Sequence, residues 1–168
     1  SNTLYLNGSG ISSGGALTNS SASPATMLGN VVLQSASSMG VGAGKSLTLS
    51  TGMISGNFAL TLNGGSGQTG TISLSGANTY GGTTTVNGGT LALTSTGTLG
   101  NSVSRLTLSS GSLDLQSRAL TVGSLVMSGL SPAITNSTGT SSLTVSGTST
   151  LANAITTSAA QTYTGAVT

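Results

Sequence analysis

Short apolar triplets separated by turn residues are the feature that most constrains the fold of this 168-residue chain. Each triplet places an apolar residue on either side of a residue that is often Thr or Ser. This spacing has the period of a β-strand, with two side chains on one face and the middle one on the other. The triplets are Leu4-Tyr5-Leu6, Val31-Val32-Leu33, Leu47-Thr48-Leu49, Leu60-Thr61-Leu62, Ile72-Ser73-Leu74, Leu91-Ala92-Leu93, Leu106-Thr107-Leu108, Leu113-Asp114-Leu115, Leu120-Thr121-Val122 and Leu143-Thr144-Val145. The sequence therefore predicts an all-β chain of many very short strands.

The segments between triplets are rich in Asn and Gly, as in Asn63-Gly64-Gly65 and Asn87-Gly88-Gly89. Both residue types accept the left-handed backbone conformations that sharp corners need. Short strands with Gly-rich corners favour a β-solenoid of seven or eight coils, each of roughly 20–25 residues. A β-sandwich is the alternative, although its strands are usually longer. We interpret residues 1–168 as a single solenoid segment, part of a longer repetitive protein or a polymer subunit.

The near-absence of charge excludes most chemistry. Charged residues make up 2% of the chain, His and Cys are absent, and Asp114 is the only side-chain carboxylate. A Ser-His or Cys-His nucleophile, a zinc site of the usual ligands, a two-carboxylate glycosidase and an acidic calcium loop all need residues that are missing. We therefore expect no enzymatic activity, no cofactor and no metal site.

The composition also limits the partners. Lys45, Arg105 and Arg118 are scattered and do not form a basic patch, and aromatic residues are 2% of the chain, so we expect no nucleic-acid ligand. No apolar run reaches the length of a transmembrane helix. Ser, Thr and Gly exceed half of the chain, but a hydrophobic content of 35% and a mean hydropathy of +0.29 argue against disorder.

Residues 70–93 resemble the autotransporter-associated β-strand repeat of bacterial passenger domains. The resemblance rests on a Leu-x-Leu triplet, Gly-Ala-Asn-Thr-Tyr, a Gly-Gly pair, Thr-Thr-Val and Asn-Gly-Gly-Thr-Leu in that order. Its motif residues are Leu74, Asn78, Tyr80, Gly81, Gly82, Val86, Asn87, Gly88, Gly89, Leu91 and Leu93. Gly81 follows Tyr80 directly, where the family usually has one polar residue between. A weaker similarity, over residues 160–168, is to the repeats of filamentous-haemagglutinin-like adhesins.

This resemblance implies a right-handed parallel β-helix, exported to the surface of a Gram-negative-type bacterium as part of a long passenger. The motif residues are structural in that family, so no catalytic role carries over to them.

Several residues allow more than one interpretation. Asp114 should point outward, solvated or paired with Arg118 or Arg105.

The run Thr83-Thr84-Thr85 and the Leu-Thr-Leu units have two interpretations. They either form an outward row of Thr that binds ice or reflect only the β propensity of Thr. Tyrosines grouped on one face would favour sugar binding, whereas buried or corner positions would argue against it. Asn63, Asn78 and Asn87 are candidates for stacked ladders or corner caps.

A surface almost without charge is poorly protected against association, and the open ends of a solenoid invite further strands. The leading hypothesis is a non-enzymatic structural or adhesive segment, the building unit of a bacterial surface stalk, filament, sheath or matrix fibre. Its expected partners are adjacent repeats of the parent chain or other copies, and its expected location is extracellular. The alternative is a specific binding module with a glycan ligand or an ice-binding face.

Overall fold

The computed structural model describes residues 2–168 as parallel strands wound into about seven turns. All the strand pairs among these residues are parallel. Because the sheets of a sandwich are antiparallel, this pairing excludes the β-sandwich alternative. The predicted β-solenoid is confirmed.

Three sheets form the sides of the solenoid. The first sheet contains β1 (Leu4–Gly8), β2 (Leu17–Asn19), β4 (Val31–Val41), β6 (Ile54–Ser55), β7 (Leu60–Leu62), β9 (Thr84–Val86), β11 (Arg105–Leu108), β14 (Ser124–Met127) and β17 (Ser149–Thr150). The second sheet contains β3 (Ala25–Met27), β5 (Ser46–Leu49), β8 (Thr71–Leu74), β10 (Thr90–Leu93), β12 (Ser112–Asp114) and β15 (Ala133–Thr135). The third contains β13 (Ala119–Val122), β16 (Ser142–Val145) and β18 (Gln161–Tyr163). A short 3-10 helix, Ile11–Ser13, lies in the first coil.

Each predicted triplet lies in a strand, with the exception that β12 ends one residue before Leu115. Several other strands were not among the triplets: β14 contains Leu125-Val126-Met127, which fits the pattern and was overlooked, whereas β15 has Ile134 as its single buried residue. The sequence offset between paired residues of neighbouring coils varies, from 18 between Leu143 and Gln161 to 29 between Gly8 and Ser37. This variation explains why the sequence shows only a loose period.

The core is a continuous apolar column inside the coils. On the second sheet its members are stacked in register in the order Leu47, Ile72, Leu91, Leu113 and Ile134, all buried. Facing them from the first sheet are Leu62, Val86, Leu108 and Met127, also in register and buried. Stacked side chains at the spacing of about 4.7–4.9 Å between neighbouring strands therefore replace the interleaved layers of an ordinary domain core.

Glycines line the corner that follows the second sheet, where successive coils come too close for a side chain. A Cβ atom on Gly52 would overlap the carbonyl oxygen of Gly29, and one on Gly76 would overlap the carbonyl oxygen of Gly52. The glycine content of the sequence is thus partly a consequence of backbone stacking, in addition to its role in turns.

Candidate functional site

The autotransporter-like motif forms one complete coil, from β8 through β9 to β10. Its apolar residues Leu74, Val86, Leu91 and Leu93 are buried in the core. Its glycines Gly81, Gly82, Gly88 and Gly89 lie at corners outside the strands. Four of these eight motif residues thus form the core of the coil, and the other four form its corners.

Asn78 is buried and forms hydrogen bonds with the coil before its own and with the coil after it. Its Oδ1 accepts a hydrogen bond from the backbone N–H of Ile54 at 2.8 Å, and its Nδ2 donates to the carbonyl oxygen of Thr98 at 2.7 Å. Its own backbone N–H donates to Thr98 Oγ1 at 2.8 Å. Because a buried amide must have its donors and acceptor satisfied, this position favours Asn over an apolar residue.

Asn63 has the same role at another corner and adopts a left-handed conformation, with φ of 54°. Its Oδ1 accepts from the N–H of Val41 at 2.9 Å, and its Nδ2 donates to the carbonyl oxygens of Gly70 and Gly88 at 3.0 and 2.9 Å. Asn87 differs, because it is only half-buried. The corner-cap interpretation is therefore confirmed for Asn63 and Asn78.

The sequence did not single out Asn19, which caps the first coil. Its Nδ2 donates to the carbonyl oxygen of Ser46 at 2.7 Å, and its Oδ1 accepts from the N–H of Ser21 at 2.9 Å. The available signal was its position at the end of a strand: Asn19 is the last residue of β2, and Asn63 comes directly after β7.

The three tyrosines do not share a face. Tyr80 is fully buried, its hydroxyl lies 2.7 Å from Thr84 Oγ1, and burial raises the pKa of that hydroxyl above its ordinary value. Tyr5 is 60% exposed on the first strand, and Tyr163 is half-buried on the last. This placement does not provide the grouped aromatic surface that would favour sugar binding.

Asp114 points outward from β12 but is nearly buried, with 9% of its surface exposed. Its carboxylate accepts hydrogen bonds from the N–H and Oγ of Ser137 at 3.0 and 2.6 Å, and from the N–H and Nε2 of Gln116 at 3.3 and 3.2 Å. Burial by itself would raise the pKa of Asp114, but these hydrogen bonds outweigh burial and lower it below its ordinary value. Arg118 does not provide any of these contacts and donates to the carbonyl oxygen of Ser95.

The outward face of the first sheet carries a column of β-branched side chains. Thr61, Thr85 and Thr107 are stacked in register on consecutive strands, and Val126 and Thr150 continue the column. Thr61, Thr85 and Thr107 are half-buried, and Thr150 is exposed. An outward rank of Thr was one interpretation of the Leu-Thr-Leu units, and the other, the β propensity of Thr, accounts for the same placement.

A groove of about 320 Å³ lies beside the first member of this column. Its lining includes Ser9, Ser13, Ser37, Ser38, Thr61 and Asn87. The groove forms where the loop of the first coil bends over the sheet, with Ser38 Oγ donating to the carbonyl oxygen of Ser9 at 3.0 Å. Its polar groups are hydroxyls and amides.

Within residues 2–168, no cluster of three or more His, Cys, Asp or Glu residues is positioned to hold a metal ion. In the same part of the chain, no helix is long and apolar enough to cross a membrane.

We compared the chain with protein-family models, with curated proteins and with solved structures, and none of the three comparisons gave a match.

Proposed function

We propose that this chain is a non-enzymatic structural or adhesive segment, the building unit of a bacterial surface stalk, filament, sheath or matrix fibre. The observation that supports it most is that both ends of the described coils leave strand edges unpaired and apolar side chains partly exposed. The autotransporter-like motif in residues 70–93 and the scarcity of charge support an exported, extracellular location. Three basic residues also leave few sites for trypsin-like proteases.

The first end of the solenoid has open strand edges and an apolar surface. Among residues 2–168, β1 pairs only with β4, and β3 pairs only with β5. Leu4 and Met27 are half-buried beside a groove of about 620 Å³, and Leu28 in the same groove is 63% exposed. Open edges with apolar neighbours are sites at which further strands add.

The other end has the same character. In the described part of the chain, β18 pairs only with β16, and Leu151, Ile155 and Tyr163 pack against the core while remaining partly exposed. Val167, which bridges to Ser149 on the first sheet, is 50% exposed. The two ends are thus suited to bind either adjacent coils of a longer chain or another copy of this one.

Little electrostatic repulsion opposes such stacking. The formal net charge is +2 over 168 residues, and the end surfaces described above are formed by apolar and uncharged polar side chains. Parallel addition of coils would continue both the backbone hydrogen bonds and the apolar column, which is the arrangement that gives stacked β-structure its stability.

The test compares two Leu→Lys variants by sedimentation velocity and negative-stain microscopy over a concentration series. We expect the unaltered chain to form elongated particles that grow with concentration. Leu28→Lys places a charge on the first end and should weaken this association. Leu130→Lys is the matched control, because Leu130 is 85% exposed in the loop between β14 and β15. The control should associate like the unaltered chain.

Discrete particles of unchanged size at high concentration would contradict the filament and matrix forms of the proposal. An isolated stalk segment or a binding module would then be the better description. For the binding-module alternative, the column of Thr on the first sheet is the specific favourable observation, and it leads to a separate inference.

A further inference from the structure

The outward face of the first sheet has a regular pattern that a structural role does not require. Thr61, Thr85 and Thr107 repeat once per coil, at the interval of about 4.7–4.9 Å between neighbouring strands. Residues two positions apart along a strand are about 6.6 Å apart on the same face. The strands β7 and β9 each carry one outward side chain, so the column is a one-dimensional array with one fixed repeat. The residues two positions before Thr85 and Thr107 are Thr83 and Arg105, which differ in shape and charge.

The side chains of this column are stiff. Thr and Val are β-branched, and this restricts χ1, so that each hydroxyl and methyl group has a defined position. A surface of such residues loses little side-chain entropy when it binds a ligand. Val126 keeps the shape of the column while replacing the hydroxyl with a methyl group.

The hydroxyls of the column are available to a ligand. Among residues 2–168, the hydroxyls of Thr61, Thr85 and Thr107 have no hydrogen-bond partner in the protein. Hydroxyls do join adjacent coils just after the second sheet, where Ser75 Oγ and Thr94 Oγ1, which follow β8 and β10, lie 2.7 Å apart. The hydroxyls of Thr61, Thr85 and Thr107 therefore do not take part in bonds between coils, whereas Thr150 Oγ1, further along the column, lies 3.3 Å from Thr168 Oγ1 of the next coil.

One charged residue lies beside the column on the same outward face: Arg105, exposed on β11, is two residues before Thr107. Asp114 lies on the second sheet, and the Arg118 guanidinium donates to the carbonyl oxygen of Ser95, which follows the second-sheet strand β10. Charged groups hold their own hydration shells, whereas a flat array of hydroxyl and methyl groups leaves adjacent water free to adopt the order of a lattice.

We propose that the Thr61–Thr85–Thr107 column, continued by Val126 and Thr150, is an ice-binding face. The ligand is a crystal of water, a neutral and periodic array of hydrogen-bond donors and acceptors. The strand interval is close to the repeat of oxygen positions along the a axis of hexagonal ice, so successive hydroxyls meet equivalent lattice positions. This activity goes beyond the structural role proposed above and does not depend on it.

The second and third sheets provide internal comparisons. The equivalent column on the second sheet, Thr48-Ser73-Ala92-Asp114-Thr135, mixes different shapes and contains the carboxylate. The third sheet has an in-register column of Thr121, Thr144 and Thr162, which equals the three consecutive Thr of the first sheet but has no continuation like that through Val126 and Thr150. The first sheet has the longest run of β-branched side chains.

The experiment measures thermal hysteresis and ice recrystallisation with the full 168-residue chain, in parallel with variants carrying one Thr→Lys change. We expect the unaltered chain to shape ice crystals and to separate the freezing and melting points. Thr85→Lys and, independently, Thr107→Lys should lose most of this separation while retaining the circular dichroism spectrum of the unaltered chain. Thr48→Lys, at the corresponding outward position of the second sheet, should retain it.

Absence of ice shaping by the unaltered chain would overturn the proposal. The same holds if folded Thr85→Lys and Thr107→Lys proteins retain full activity, or if Thr144→Lys on the third sheet is the variant that loses it. These outcomes are distinct from a failure to associate end to end, which tests the structural role alone.

Discussion

Asp114 joins two consecutive coils through the chain's single side-chain carboxylate. The sequence predicted its outward direction correctly, because it lies between two apolar residues of a triplet. The hydrogen bonds from Ser137 were not predictable, since Ser137 is 23 residues further on and the coil length varies. A carboxylate on the surface of a strand thus became a buried acceptor because the next coil places a hydroxyl and an N–H beside it.

This arrangement predicts a simple pH dependence of stability. The folded-state pKa of Asp114 is lowered, so its ionised form stabilises the fold above the ordinary pKa of 3.8. That contribution is lost as the pH falls through the lower folded-state pKa. Since the chain has no His and no other side-chain carboxylate, the free energy of unfolding should be nearly constant between about pH 5 and 8.

Asp114→Asn is the test, measured by urea unfolding across the acidic range. Near pH 7 the variant should be less stable by about 1 kcal/mol, because hydrogen bonds to a charged group become hydrogen bonds to a neutral one. Below the lowered folded-state pKa of Asp114, where its carboxyl is protonated in both states, the two proteins should converge. If both lose stability equally on acidification, the source is not Asp114, since the terminal carboxylate is common to both.

At the scale of elements, the parallel strands can pair only if the corners of successive coils also lie in contact. The corner that follows the second sheet stacks Gly29, Gly52 and Gly76 with no room for a side chain. The sequence predicted glycine at corners for its backbone conformation. The steric reason is a property of the stack, because the atom that excludes a Cβ belongs to the coil before.

Gly52→Ala and Gly42→Ala test this distinction as a matched pair. A Cβ on Gly52 would overlap the carbonyl oxygen of Gly29, so the coils must separate locally. Gly42 lies at a different corner, where the nearest atom to a Cβ is Lys45 Cγ at 3.6 Å. We expect Gly52→Ala to lower the free energy of unfolding by about 2–3 kcal/mol, in the range of other overpacked sites.

Chemical denaturation provides the measurement, with Gly42→Ala expected within about 0.5 kcal/mol of the unaltered chain. Equal stability of the two variants would mean that the corners adjust freely and that steric stacking does not select glycine there.

At the scale of the whole molecule, each coil contacts only its neighbours. In such an architecture, stability is approximately the sum of terms for each repeat and each interface, so the end coils are held on one side. The last coil is also poor in core: most of residues 152–168 are exposed, whereas the central strands contribute residues of the buried column. Stability should therefore decrease from the centre towards the ends.

Hydrogen exchange measured by mass spectrometry on dilute protein should reveal this gradient. Amides of β7, β9 and β10 should exchange slowest, and those of β17 and β18 much faster, because local opening of an end coil breaks one interface only. Uniform protection from β1 to β18 would contradict this expectation and indicate that the solenoid opens as one cooperative unit.

The amino-acid sequence by itself determined the strands and the class of fold. Triplets such as Leu47-Thr48-Leu49 specify which side chains face inward through the two-residue period of a strand, and Asn63-Gly64 marks the corner that follows. These are local properties, set by a few neighbouring residues. Only the tertiary structure decided which coils meet: Asn78 lies between Ile54 and Thr98, and Thr85 lies between Thr61 and Thr107. The physical reason is that coil lengths vary, so the partner of a residue in the next coil is set by the path of the backbone.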